Sequence, residues 1–327
     1  MLAAAAADAR AAEEAGYDGI FSFENAHDPF IPLALAASTT EHIELYTAIA
    51  VAFARTPMTM ASSAWDVHSL SGGRLSLGLG SQVKAHIERR LSMPWSRPAA
   101  RMREYVAALR AIWTSWQDGT RLDFRGDFYT HTLMPPLFNP GPCPFGLPRI
   151  LVAGTGDLMV QVAAEAGDGL VIHPFTTERY IRDVILPTVE RGLMTSARDR
   201  NDFELSCQVL VATGTNGEEL ERAKAEIRKE IAFFGSTPSW RSVLELHGWA
   251  ELGTSLNGLA KEGRWADMAG LIDDEVLETF AVVGEPNTIA SILSRRFDGL
   301  LDRVSLYTPY EVEKGVTQSI ALAIRNG

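Results

Sequence analysis

The sequence predicts a (β/α)8 barrel, on three observations. Seven apolar, β-rich runs alternate with helical stretches along 327 residues. Several runs are apolar almost throughout, as strands of a parallel sheet are when helices cover both faces. An alternation sustained over this length favours a barrel over an open, doubly wound sheet.

The elements follow in order. Ala3 to Ala15 reads as a helix, with Asp8, Glu13 and Glu14 at helical spacing and Gly16 as its stop before the strand "YDGIFSF" at 17–23. The acids, and the lack of a basic flank before the alanine block, make a helix of the mature protein, not a signal peptide, the expectation there. A barrel places a strand ahead of its first helix. That strand is missing, so the chain is expected to start late within the barrel, the alternative being an open seam between its first and last strands.

Next comes "HIELYTAIAVAF" at 42–53, with Pro57 opening the following helix. Small residues at Thr47, Ala48, Ala50 and Ala52 leave room in the barrel mouth for a flat ligand. The remaining strands are "GRLSLGLG" (73–80), "PRILVAG" (148–154), "DGLVIHP" (168–174), "FELSCQVLVATG" (203–214) and "DRVSLYTP" (302–309). Two insertions break the alternation. The stretch 120–148 holds a hairpin at "LDFRGDFY" and then a proline-rich run, and the stretch 235–284 reads as several short helices; both are expected to lie over a strand end as lids. No flexible linker or repeat delimits either, so 1–327 is expected to form one decorated domain.

Composition narrows the function. A formal charge of -11 with dispersed acids provides no global field for nucleic acid or an anionic membrane surface. No apolar run approaches the ~18 residues of a membrane span. Cys143 and Cys207 are far apart, which suggests neither a disulfide framework nor a thiolate metal site and makes a reducing cytoplasm the expected compartment. Histidines lack metal-ligand spacing and there is no Gly-x-Ser-x-Gly elbow, so metal hydrolysis and acyl transfer are not expected.

In such a barrel the reactive groups sit on loops that follow strands. After the first strand, Glu24, Asn25 and His27 crowd a strand end, where an acid, a base or a hydrogen-bond partner for a heterocycle belongs; Asp28, followed by Pro29, is read as a helix cap. After the third run, Gly80, Ser81 and Gln82 precede Lys84 and His86. Gly154, Thr155 and Gly156 repeat the pattern before a helix. Both turns are either tight strand-to-helix connections or cradles for an anion. The cluster Lys84, Arg89, Arg90, Arg97, Arg101 and Arg103, opposed only by Glu88 and Glu104, favours an anion near Lys84 and His86. His173 ends another strand before Pro174 and is either a structural histidine or a site residue.

Together these blocks resemble the luciferase-like flavin and deazaflavin oxidoreductases, most closely the subgroup that uses coenzyme F420. The resemblance runs from Ala9 to Tyr310 through "AAEEAGYDGIFSFENAHDPF", "AIAVAFARTPM", "LSGGRLSLGLGSQVKAHIERR", "RPAARMREYVAALRAIW", "AGTGDLMVQVAAEAGDGLVIHPF" and "DDEVLETFAVVGEPNTIA". It implies a TIM barrel of the bacterial luciferase-like type whose mouth holds the tricyclic ring. The cofactor's phosphate would lie near Gly80–Lys84 and Gly154–Gly156, and a non-proline cis peptide would join Ala48 and Ile49. Glu24 stands where relatives have an acid near the ring. Asn25 replaces a proton-transferring histidine of some members, and Val83 replaces a catalytic glutamate of others. The implied reaction is hydride transfer between the deazaflavin and an organic substrate, with His27 or Glu24 handling the proton. FMN with a partner reductase is the alternative, a non-enzymatic cofactor-binding barrel the other. A homodimer is expected.

Overall fold

The computed structural model describes residues 2–326. Contacts divide the chain into two compact units. One comprises the chain up to Gly154 with Leu158–Val171 and Arg191–Phe203; the other comprises Thr155–Asp157, Ile172–Glu190 and the chain from Glu204 onward.

In the first unit the strands are β1 (Gly19–Ser22), β2 (Glu44–Thr47), β3 (Ala50–Val51), β4 (Leu75–Gly80), β7 (Arg149–Gly154) and β8 (Gly169–Ile172), while β5 (Phe124–Arg125) and β6 (Thr130–His131) form a separate antiparallel hairpin. The sheet order is β1-β2-β4-β7-β8, with β3 beside β4. The registers of β1 with β2, β2 and β3 with β4, and β4 with β7 are all parallel. Every residue of β4 is buried, which is why its sequence lacks a polar alternation.

The helices are α1 (Ala5–Glu14), α2 (Phe30–Ala37), α3 (Pro57–Leu70), α4 (Pro98–Asp118) and α5 (Asp157–Ala166). Pro57 sits in the first turn of α3, and the Thr56 hydroxyl accepts the Thr59 N–H. In α4 the residues Met102, Tyr105, Val106, Leu109, Ile112, Trp113 and Trp116 recur every three or four positions and all are buried, so one face of the helix lies in the core. The Trp113 indole donates to the Ala61 carbonyl, which satisfies its one polar atom. The hairpin expected within 120–148 is present. Its turn is tied to α4 by the Glu104 carboxylate, which accepts the N–H groups of Asp127, Phe128 and Tyr129.

The second unit has β9 (Glu204–Thr213) paired in parallel with both β10 (Ala281–Gly284) and β11 (Arg303–Tyr307). Its helical segments begin with α6 (Glu178–Tyr180), which continues through a π-helical turn at Ile181–Ile185 into α7 (Leu186–Thr195), whose residues up to Glu190 belong to this unit. They go on with α8 (Gly217–Gly235), α9 (Arg241–Leu246), α10 (Ala250–Lys261), α11 (Trp265–Met268), α12 (Asp274–Phe280), α13 (Pro286–Phe297) and α14 (Lys314–Asn326). Phe175 stacks on Phe280 with ring centroids 4.5 Å apart, and this pair anchors the unit's aromatic core.

All seven expected strands are present, and the count needs one correction. β10 lies inside the stretch 235–284 that reads as helices from sequence. It follows α12 directly, with no turn residue between Phe280 and Ala281 to mark where the helical pattern ends.

One arginine binds the start of β4 to its surroundings. Arg74 donates to the carbonyls of Ala37, Thr40, Ile43 and Ser71 and to the Thr40 hydroxyl. Arg74→Ala leaves those acceptors without their donor and is expected to lower the urea midpoint by the equivalent of about 2–4 kcal/mol. Arg74→Lys is expected to recover only part of this, because an ammonium cannot reproduce the planar fork.

Candidate functional site

The carboxyl ends of β1, β3 and β4 lie side by side, and the site is built there. Between β2 and β3 the strand carries an extra residue. Tyr46 is opposite Ser76 and Ala50 is opposite Leu79, so residues 47–49 face only residues 77–78 of β4. This is a bulge in a parallel pair. The Ala48–Ile49 peptide within it is cis, as the resemblance implied.

The partner strand is shaped to receive the bulge. A Cβ at Gly78 would stand 1.9 Å from the Thr47 carbonyl oxygen, and one at Gly80 would stand 2.7 Å from the Ile49 side chain. Thr47 Oγ1 also donates to the Gly78 carbonyl at 2.7 Å. On the other side, the Ala48 N–H donates to the Ser22 carbonyl and the Glu24 N–H to the Ile49 carbonyl.

Glu24 closes the clasp. Its Oε2 accepts the Val51 N–H at 2.8 Å and Arg55 Nη1 at 2.6 Å, while Arg55 Nη2 reaches Asp28 at 2.7 Å. Burial works against the Arg55 charge, but hydrogen bonds to Glu24 and Asp28 outweigh it and raise the guanidinium above its usual value. Asp28 also accepts the Phe30 N–H, the cap expected at the start of α2. Asn25 and His27 are exposed; the Asn25 carbonyl accepts Arg90 Nη1 at 3.0 Å, which joins the β1 loop to the segment after β4. Arg55 was not found by sequence reasoning. The available signal was a single cation directly after a strand of small residues, opposite two carboxylates on the neighbouring loop.

Beyond Gly80 the chain turns through Ser81 and Gln82, the latter at φ 59°, and enters a π-helical turn at His86–Arg90. The N–H groups of Gln82, Val83 and Lys84 have no backbone acceptor among the described residues. Lys84 and His86 are exposed, and the Lys84 ammonium is 3.9 Å from Glu88. Unpaired N–H groups with a lysine beside them are a donor set that suits a phosphate.

The expected basic cluster is corrected. Arg101 is buried, donating to Tyr129 and the Pro94 carbonyl beneath the Phe53 ring; Arg97 pairs with Asp127 and Arg103 with Glu165. Glu104 serves the hairpin. Lys84, His86, Arg89 and Arg90 remain as exposed cations or potential cations near the turn, Arg90 donating to the Asn25 carbonyl.

Gly154 ends β7, and a Cβ there would stand 3.1 Å from Met159 and Val160 of α5, so its first role is close strand–helix packing. Thr155 and Gly156 belong to the second unit, and open space surrounds a Cβ built at Gly156. His173, also of the second unit, stacks on Trp240 at 4.2 Å and meets Phe234 edge-on at 4.8 Å, with Nδ1 accepting the Phe175 N–H. Burial lowers its pKa to about 4.

A family model described as luciferase-like monooxygenase matches residues 2–303. The chain belongs to that family. It is therefore an oxidoreductase of the luciferase-like type, with the parallel α/β fold of the family. It is 54% identical over 304 residues to "Uncharacterized protein Rv1360" of Mycobacterium tuberculosis, covering 93% of this chain and 89% of the relative. It is 28% identical over 294 residues to "Putative coenzyme F420-dependent oxidoreductase Rv3520c" of the same organism, covering 84% and 82%. Among solved structures, the coenzyme F420-dependent tetrahydromethanopterin reductase from Methanopyrus kandleri superposes with a TM-score of 0.81 at 18% identity, covering 100% of this chain and 95% of the other.

Two outcomes are expected. Gly78→Ala forces a methyl group into the Thr47 carbonyl and should destabilise the protein by about 1–3 kcal/mol or more, read by thermal or urea denaturation. His173 binds its proton more weakly when folded than when unfolded. Stability should therefore fall as pH drops from the usual histidine value near 6.5 toward about 4, by on the order of 3 kcal/mol in all, and His173→Phe should remove that slope.

Proposed function

We propose that this protein is an F420-dependent oxidoreductase that exchanges a hydride between the deazaflavin and an organic substrate. The observation that carries the reading is the pairing, at adjacent strand ends, of a glycine-walled bulge with a turn of free N–H donors and a lysine. The likeness to a relative named as a putative F420-dependent oxidoreductase supports this choice of cofactor.

In this reading Ala48 and Ile49 support one face of the ring, while Gln82, Lys84 and the N–H groups of the turn hold the phosphate of the tail. When bound, F420 supplies the hydride chemistry. The protein's own contribution is position and charge. The bulge fixes a flat wall, and Gly78 and Gly80 let the strands close on it without a side chain intervening. Glu24 is fixed by Val51 and Arg55 through Oε2, and Oε1 has no donor among the described residues, so it is placed to accept a proton. His27, exposed on the same loop, would exchange that proton with water. A separate dehydrogenase or reductase would regenerate the cofactor.

The test is titration of the protein with F420 and with FMN, oxidised and reduced, followed by fluorescence or calorimetry. Saturable F420 binding is expected, with Lys84→Glu weakening it about tenfold or more through loss of a charge-assisted phosphate contact. Glu24→Gln is expected to keep binding and lower turnover. Tight FMN binding without F420 binding, or no binding of either, would overturn the proposal.

A further inference from the structure

We infer that the second unit carries a separate site for a small organic phosphate, in an arginine-lined cleft between the Thr177–Arg182 segment and α12, β10 and α13. The cleft has a volume of about 500 Å³, within the range that holds a sugar phosphate or a nucleotide. Arg179, Arg182, Arg295 and Arg296 line it, against the carboxylates of Glu178 and Glu278. In a chain whose formal charge is -11, this is a local excess of positive charge.

The four guanidinium groups are not equivalent. Arg296 is the fixed floor, donating to the carbonyls of Ala281 at 2.8 Å and Thr279 at 2.7 Å. Arg182 and Arg179 are held at the rim by Glu178 and Asp183, at 2.5 and 3.3 Å. Arg295 is exposed and has no acceptor among the described residues. Burial lowers the Arg296 guanidinium; Glu178 opposes this, and the Arg295 charge adds to the lowering to a smaller degree. Burial and the Arg179 charge likewise keep His247 below its usual value, and His247 shares a hydrogen bond with the Thr177 hydroxyl at 2.9 Å.

A phosphate monoester fits this arrangement better than a single carboxylate does. It brings nearly two negative charges and three acceptor oxygens, enough to engage Arg295 and Arg182 together. None of the lining residues belongs to the strand-end site of the first unit, so this inference stands apart from the cofactor proposal.

The experiment is isothermal titration of the full chain with inorganic pyrophosphate, AMP and ribose 5-phosphate, with adenosine as the uncharged control. Saturable binding of at least one phosphorylated probe is expected, without adenosine binding. Arg295→Ala and Arg182→Ala should each weaken it about tenfold, with unchanged melting temperatures, and Lys84→Glu should retain it. AMP binding more tightly than ribose 5-phosphate would point to a nucleotide, and equal affinities to a sugar phosphate. Absence of binding by every phosphorylated probe, binding indifferent to both arginine variants, or binding lost in Lys84→Glu would overturn the inference.

Discussion

The contact on which the first unit depends is the approach of the Thr47 carbonyl to Gly78. At 1.9 Å from where a side chain would begin, there is space for a hydrogen atom and nothing else. Because β4 yields at that point, the neighbouring strand can carry its extra residue without leaving the sheet, and Ala50 and Val51 return to pair with Leu79 and Gly80. The backbone on both sides of the bulge is then taken up by the β1 loop through Ser22 and Glu24. A wall built this way is made of main chain. Its shape depends on packing and backbone hydrogen bonds, which makes it stiffer than a surface of long side chains.

Charge is organised by the same economy of contacts. The cations that follow β4 look alike in sequence, yet the fold separates them. Arg101 enters the core beneath Phe53, where its aliphatic stem and planar head both find partners, while Arg97 and Arg103 are bound to acids distant in sequence. What stays exposed near the turn is Lys84 on its flexible stem, with His86, Arg89 and Arg90 beside it.

How much of this was legible before the structure depended on the range of the interaction. The seven expected strands, the helix opened by Pro57, the cap at Asp28 and the hairpin at 124–131 are local patterns, and each appears where the sequence puts it. The cis peptide at Ala48–Ile49 was reached through family resemblance, since no local property of Ala-Ile demands it. β10 is not legible because it follows α12 with no turn residue to separate the two patterns. The ion pairs of Arg55, Arg97 and Arg103 join residues 27 to 62 positions apart, a range over which charge patterning says nothing of who meets whom. For the same reason Glu24 was found as a carboxylate at a strand end but not as one already engaged.

That engagement has an electrical consequence. Glu24, Arg55 and Asp28 together amount to one net negative charge shared between two acids, with the cation lying in the middle. A guest that gains electron density at these strand ends therefore meets a muted field instead of two bare like charges. Arg55 touches the loop from behind, yet it sets how hospitable the mouth is to an anion, and its removal would turn a quiet corner into a repelling one.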